Sequence, residues 1–561
     1  MSEFKTPGVF IEEIPKFPPS VAQVETAVPS FIGYTEIALD KENKPLKMVP
    51  TKISSLMDYE TYFGKANKES IKLQDTVDEG LTLVKPNVKF LMYYSMQMYF
   101  ANGGGPCYVV SVGDYIGDVI NKSDLKLGLE ASALQEESTI VVFPDATSLT
   151  DQEEFYALYQ DAIAQADDLK NKFLIMDTFL GESKSEDEDT GFNTVEFLRN
   201  RIGRTMHAAA YFPHLKTVLN YRFNEDVAID HAGLQPANAT GGFFAASVAD
   251  LNALSLLATA ELAGATEEEP ADTKMLIDIA KSVIAIVEEV NVTADGKISL
   301  VDVQSYLQDL QNEDEDRDVA DITGYITTLK NAVDLAQDKK GDAHGLKLEA
   351  LKTTNSVLYN QIKKVIGELK VVLPPSATMA GVYAKVDGTQ GVWKSPANLG
   401  LNYVIAPTQK ISNKEQESLN VDTNGKSINA IRTFTGKGNL VWGARTFDSE
   451  STEWKYISVR RLFDMVEKSV QNAMQRFVFE TNDANTWVKA KAMIENYLNQ
   501  LWMNGALAGS TPKQAYYVIV GKETTTDQDV LEGRMNIEIG MAAVRPAEFI
   551  VLNFSHKLQE A

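Results

Sequence analysis

Hydrophobic and polar positions along this chain change period several times, and each change predicts a different element. Near the start, Val9, Ile11 and Glu13 fall on one side and Phe10, Glu12 and Ile14 on the other, which predicts a short extended strand. A tether with Pro15, Pro18 and Pro19 follows, and Pro29 to Tyr34 then reads as a buried strand. Leu56 to Gly64 predicts a short helix ended by glycine. Phe90 to Phe100 predicts an amphipathic helix rich in Tyr and Met, stopped by Asn102-Gly103-Gly104-Gly105-Pro106. Apolar runs at Cys107–Val112, Thr139–Phe143 and Lys172–Asp177 read as strands, and Asp151 to Ala166 has helical spacing between two of them. Strand, helix, strand in that order implies an α/β layer.

The pattern shifts twice more. From about Ser247 to Lys370 long helix-forming stretches are joined by acidic links such as Glu267-Glu268-Glu269, predicting a separate helical insertion. Beyond it, Leu462, Phe463, Val466, Val470, Met474 and Phe477 recur at helical spacing. A second helix is expected from about Asn485 to Met503, followed by a strand at Tyr516–Val520, a further apolar run at Met535–Gly540 and a strand-like run at Ala547–Ser555. Both ends of the chain therefore carry segments ready to pair with something.

A length of 561 residues leaves room for roughly three or four domains. Hydrophobic content of 44% is that of a globular protein, which argues against bulk disorder. The net charge of −25 is unevenly spread: Val371 to Ala561 holds 20 Lys+Arg against 19 Asp+Glu, so the acidity lies before it. No basic face is available to displace counterions from phosphates, and no nucleic-acid partner is expected. An acidic exterior favours solubility and suppresses nonspecific contacts.

Candidate chemistry adds little. Cys107 is the only cysteine, so an intrachain disulfide is excluded, and its apolar run predicts a buried hydrophobe. The opening MSEFKTPGVF has no basic, then apolar, leader pattern. The longest apolar stretch, Phe243 to Gly264, is broken by Asp250, Asn252 and Glu261, so no direct membrane insertion is expected. Gly103-Gly104-Gly105 and Thr435-Gly436-Lys437-Gly438 lack the remainder of a phosphate loop and read as turns. The five histidines form no compact ligand pair, and no Gly-x-Ser-x-Gly elbow occurs. Asn291 to Asp302 has the spacing of a calcium loop with Gly296 at its sixth position, but Thr293 and the short Asp302 make weak ligands; a plain helix–turn–helix connection is the competing reading. No cofactor, metal or catalytic residue is expected, and the chain is not expected to be an enzyme.

Several stretches carry a resemblance. TPGVFIEEI, NGGGPCYVVSV, LPPSATMAGVYAKVDGTQGVWKSPAN, GNLVWGARTF, the long run from Tyr456 to Trp502, and GRMNIEIGMAAVRPAEFIVLNFSH resemble, in this order, the contractile tail sheath proteins of phages and phage-tail-like injection particles. The resemblance implies a multidomain mixed α/β (α+β) fold. Its parts would be an N-terminal linking arm (1–27), an outer α/β domain (28–246), the acidic helical insertion (247–370), an inner domain (371–520), and a C-terminal arm and strand (521–561). The inner domain would be completed by arm strands from neighbouring subunits. Val9, Phe10, Ile11, Glu12 and Ile14 would form one inter-subunit strand, and Phe549, Ile550, Val551, Leu552 and Phe554 the other. Lys489, Lys491 and Glu495 would lie on a helix facing an inner tube. Implied partners are further copies in a helical homo-oligomer of hexameric rings, the inner tube protein, and baseplate and terminal cap proteins. Such particles assemble in the bacterial cytoplasm as a phage tail or a related injection particle. A non-contractile shell or surface-layer protein is the alternative.

Overall fold

The computed structural model describes residues 20–76, 79–179, 190–233 and 340–551. They fall into two compact units, one drawing on residues 1–67, 88–219 and 370–561 and the other on 68–87 and 220–369.

The larger unit is built on an eight-stranded sheet. Its order across the sheet is Gly438–Trp442, Ile428–Phe434, Ala208–Phe212, Phe173–Met176, Ile140–Val142, Pro29–Tyr34, Cys107–Gly113 and Thr51–Ile53. The six inner strands run parallel, and the two edge strands are antiparallel. The inner strands are almost wholly buried, which is why they read as continuous apolar runs rather than alternating ones. Successive residues still point to opposite faces: Ile32, Val110, Val141 and Leu174 join one core, while Phe31, Val109, Val142 and Phe173 join the other. Helices Lys122–Ala133, Gln152–Leu169 and Thr190–Arg201 cover the first face. Helices Leu56–Phe63, Met92–Ala101 and Ser376–Gln390 cover the second.

Two expectations change here. The Met92–Ala101 helix is not amphipathic: Met92, Tyr94, Ser95, Met96, Met98 and Tyr99 are all buried. Helix Ser376–Gln390 lies against it so closely that a Cβ on Gly381 would sit 2.5 Å from the Tyr99 carbonyl oxygen. The expected outer (28–246) and inner (371–520) domains also do not separate as two units: one unit gives way to the other at 369/370, but Ile428–Phe434 and Gly438–Trp442 complete the sheet begun by the N-terminal strands. Without them the Ala208–Phe212 strand would be an open apolar edge. The tight turn between them uses Gly436 and Gly438 at positive φ, as the Thr435–Gly438 turn predicts.

The C-terminal part of this unit has its own core. Helix Ile457–Met474 contributes Leu462, Met465, Val466 and Val470, and helix Ala484–Met503 contributes Met493, Ile494, Leu498 and Leu501. Asp483 caps the second helix by accepting the Thr486 N–H at 3.0 Å. Phe463 departs from the expected stripe and meets Trp454 edge-on at 4.9 Å.

In the smaller unit, strands Asp230–Ala232, Lys72–Thr76 and Gly80–Leu83 form a sheet. Helices Leu348–Thr354 and Ser356–Glu368 pack with it around Leu73, Ile229 and Ile362. His231 is buried there, with Nε2 3.1 Å from Asp75 and Nδ1 accepting the Ala343 N–H. Of the expected insertion, residues 340–369 lie in this unit; the calcium-like stretch 291–302 is outside the described residues.

Candidate functional site

The strand order of the parallel sheet reverses direction between the Pro29 and Ile140 strands, the place where open α/β sheets bind ligands. Here that place is filled by the protein itself. Asp145, fully buried, accepts N–H bonds from Tyr34 at 2.7 Å, Leu91 at 2.6 Å and Met92 at 2.9 Å, tying the strand to the start of the Met92 helix. One strand further on, buried Asp177 accepts the Ser376 N–H at 2.9 Å at the start of the Ser376 helix. Burial pushes both carboxyls up to about 7, against the pull of these donors. Both act as fasteners between strand and helix rather than as groups open to a substrate. Among the described residues no three His, Cys, Asp or Glu side chains are grouped to hold a metal ion. No described helix is long and apolar enough to cross a membrane.

The features that remain open lie in the C-terminal part. Tyr516–Val520 and Ile537–Met541 pair antiparallel as a sheet of two strands among the described residues. One face rests on the helical core through Val518, Val520, Ile537 and Ile539. A two-stranded sheet is marginal by itself, and among the described residues neither of its edges carries a further strand.

The roots of both arms are held by buried arginines. On the N-terminal side, Val21 sits in the helical core and the Val24 N–H donates to Ser469. Arg461 donates to the Thr26 carbonyl while paired with Asp387. On the C-terminal side, Glu548 is gripped by Arg445 through Nε at 2.9 Å and a terminal nitrogen at 2.8 Å, with Asn420 and Tyr456 donating as well. Burial raises the Glu548 pKa, but these donors more than offset it and hold the carboxyl below its ordinary value.

Of the residues expected to form inter-subunit strands, Val9, Phe10, Ile11, Glu12, Ile14, Leu552 and Phe554 lie outside the described residues. Phe549, Ile550 and Val551 are described; they are exposed and form no strand within this single chain. Phe549 and Ile550 border a groove of about 960 Å³ with Val421 and Trp442 on its wall. On the Ala484 helix, Lys489 is exposed, and Lys491 lies 3.8 Å from Glu495 with both about half exposed. The geometry thus brings Lys491 and Glu495 together one turn apart.

Sequence reasoning missed Arg445, Arg461, Asp387 and Glu548. Two of them did carry a signal: each is a lone charge inside an apolar run, Leu440-Val441-Trp442-Gly443-Ala444-Arg445 and Ala547-Glu548-Phe549-Ile550. A charge in such a run is retained in the interior only when paired.

Residues 449–557, which hold this helical core, the two-stranded sheet and the Glu548 root, match the phage tail sheath C-terminal domain. In this part the chain is similar to the tail sheath proteins of phages. The tail sheath protein of Vibrio phage KVP40 is 26% identical over 191 residues, covering 32% of this chain and 26% of that protein. The chain thus matches about a quarter of the length of the curated phage sheath relatives. Solved structures extend the likeness. The anti-feeding prophage helical sheath in its contracted state is 26% identical with a TM-score of 0.55, covering 99% of this chain and 100% of the other. The sheath of the extracellular contractile injection system PVC, also contracted, is 25% identical with a TM-score of 0.52 and 99% coverage of each.

Proposed function

We propose that this chain is the structural subunit of a contractile sheath, polymerising helically around an inner tube and shortening to drive the tube through a target envelope. The observation that carries this reading is the likeness, over nearly the whole chain, to two sheaths solved in contracted assemblies. The two-stranded sheet supports it: open edges on one copy and strand-like arms on another are complementary surfaces. Val9 to Ile14 and Phe549 to Phe554 would each add a strand to a neighbour, head to tail, giving a lattice that does not close on itself. Prolines 15, 18 and 19 suit the stretch that crosses between copies.

Mechanically, backbone hydrogen bonds in the added strands keep neighbours joined while the bodies rotate about the linkers. The energy is stored at assembly, because a contracted lattice that buries more surface between copies lies below an extended one. Tube contact falls to the Ala484–Met503 helix through Lys489 and Lys491, with Glu495 orienting Lys491. Hexameric rings of this chain, ended by baseplate and cap proteins, would assemble in the bacterial cytoplasm as part of a phage tail or related particle. Electron microscopy of the full chain, alone and coexpressed with a tube protein, tests the reading. Hollow helical tubes support it, flat or closed lattices favour a non-contractile shell, and the absence of polymer in both preparations overturns it.

A further inference from the structure

The C-terminal tail is held to the body in an unusual way. Up to Val544 its backbone is tied in, with the Val544 N–H donating to Ala506 at 3.2 Å. From Arg545 to Val551 no backbone hydrogen bond to the rest of the described residues occurs. The attachment there is one side chain, Glu548. Its carboxylate takes both arms of the Arg445 fork, and the Asn420 amide and the Tyr456 hydroxyl complete the set.

Arg445 is in turn fixed from the middle of the large sheet. The Asn429 side chain, on the Ile428–Phe434 strand, accepts the Arg445 N–H and donates to the Arg445 carbonyl, both at 2.8 Å. The same amide also donates to Ala210 on the next strand. A continuous polar path therefore runs from the sheet through Asn429 and Arg445 to Glu548. The Arg445 side chain is 5% exposed. Immediately beyond this buried anchor, Phe549, Ile550 and Val551 are 71%, 79% and 79% exposed. Sequestering a charge pair to hold three exposed apolar residues in place yields nothing within one chain. It yields a great deal if those residues must leave the body at a fixed point.

We propose that Arg445 and Glu548 are positioning residues that set the exit point of the C-terminal arm, directing its apolar run onto a second copy of this chain instead of back onto its own two-stranded sheet. The inference rests on the sheath reading only for the identity of the partner; the anchor itself is a property of the single chain. Glu548 is the residue to substitute, because Arg445 also holds the Asn420 carbonyl and its replacement would disturb the body.

Two measurements on the full chain decide it. A dye on Val551→Cys reports arm mobility, and Cys107 is fully buried, so the dye reacts at the new position alone. Adding Glu548→Ala is expected to lower the dye's anisotropy in the monomer, with Glu548→Gln intermediate; unchanged anisotropy overturns the anchor. Without the dye, Glu548→Ala is expected to raise the concentration needed for sedimenting polymer at least tenfold at a temperature well below its own melting temperature, which the unpaired Arg445 lowers. A freed arm that polymerises at the unsubstituted concentration overturns the directing role. If the unsubstituted chain forms no polymer even with a tube protein, the sheath reading fails, and the anisotropy still decides the anchor.

Discussion

Arg461 and Asp387 meet at 2.6 Å with each side chain 5% exposed, and the pair encloses the backbone of Thr26. The Thr26 hydroxyl donates to Asp387 at 2.6 Å, and the Tyr383 ring lies 4.7 Å from the guanidinium. One ion pair thus joins the Ile457 helix, the Ser376 helix and the segment that leads out to the N-terminal arm. It is the N-terminal counterpart of the Arg445 and Glu548 anchor, and both arginines belong to the stretch that connects the large sheet to the C-terminal core.

Arg461→Met leaves Asp387 buried without its partner, and a loss of about 3–5 kcal/mol in unfolding free energy is expected. Pairing it with Asp387→Leu removes both charges and should recover much of that loss. Guanidinium unfolding of the two variants measures this; a single variant as stable as the unsubstituted chain would show that the pair holds nothing.

Asp145 and Asp177 occupy equivalent places and should respond in opposite ways to the same change. Both oxygens of Asp145 accept N–H bonds, so Asp145→Asn sets an amide donor against a backbone donor, at a cost of about 1–3 kcal/mol. In Asp177 one oxygen accepts from Ser376 and the other has no partner of hydrogen-bonding geometry among the described residues, so Asp177→Asn places no donor against a donor. With its pKa raised to about 7, Asp177 stabilises fully below the ordinary carboxylate range, and that contribution is lost as pH rises through about 7. Asp177→Asn should therefore gain on the unsubstituted chain between about pH 5 and 8, as read by thermal unfolding across that range.

These placements also show what could be read from the chain alone. Continuous apolar runs such as Cys107–Val112 announced the strands of an α/β layer, and the Leu462 and Ile494 periodicities announced two helices, because burial acts directly on composition. Register and sheet order did not show, since nothing local in Ile428–Phe434 says that it pairs with Ala208–Phe212 more than two hundred residues earlier. The Met92 helix looked amphipathic because Tyr and Ser count as polar in a pattern, yet Tyr94 and Ser95 are buried under a second helix. The arm anchors were hidden for a related reason: Arg445 and Glu548 are 103 residues apart, and a salt bridge at that range leaves no periodicity.

Acid should release the C-terminal anchor. Glu548 has a pKa held below the ordinary carboxylate value near 4.3, so the stabilisation it brings is present above that value and is lost as pH falls through the lower folded one. Anisotropy of a dye at position 551 is expected to be level from neutral pH to about 5 and to drop in stronger acid. A drop centred near neutral pH would point to a different group.

Charge on the Ala484 helix should matter for templating and not for folding. Lys489 is exposed, and the half-exposed Lys491–Glu495 pair contributes at most a few tenths of a kcal/mol. Reversing both lysines to Glu is expected to leave the melting temperature unchanged while abolishing growth on a tube, an effect that added salt would mimic in the unsubstituted chain. Growth at the unsubstituted rate would remove these residues from the contact.

The strand count in the small sheet of an assembled particle is the most direct test. A helical reconstruction of the polymer is expected to show Tyr516–Val520 and Ile537–Met541 flanked by strands from two other copies, one from the Val9–Ile14 region and one from the run beginning at Phe549. A helical polymer in which that sheet keeps only its own two strands would contradict the account.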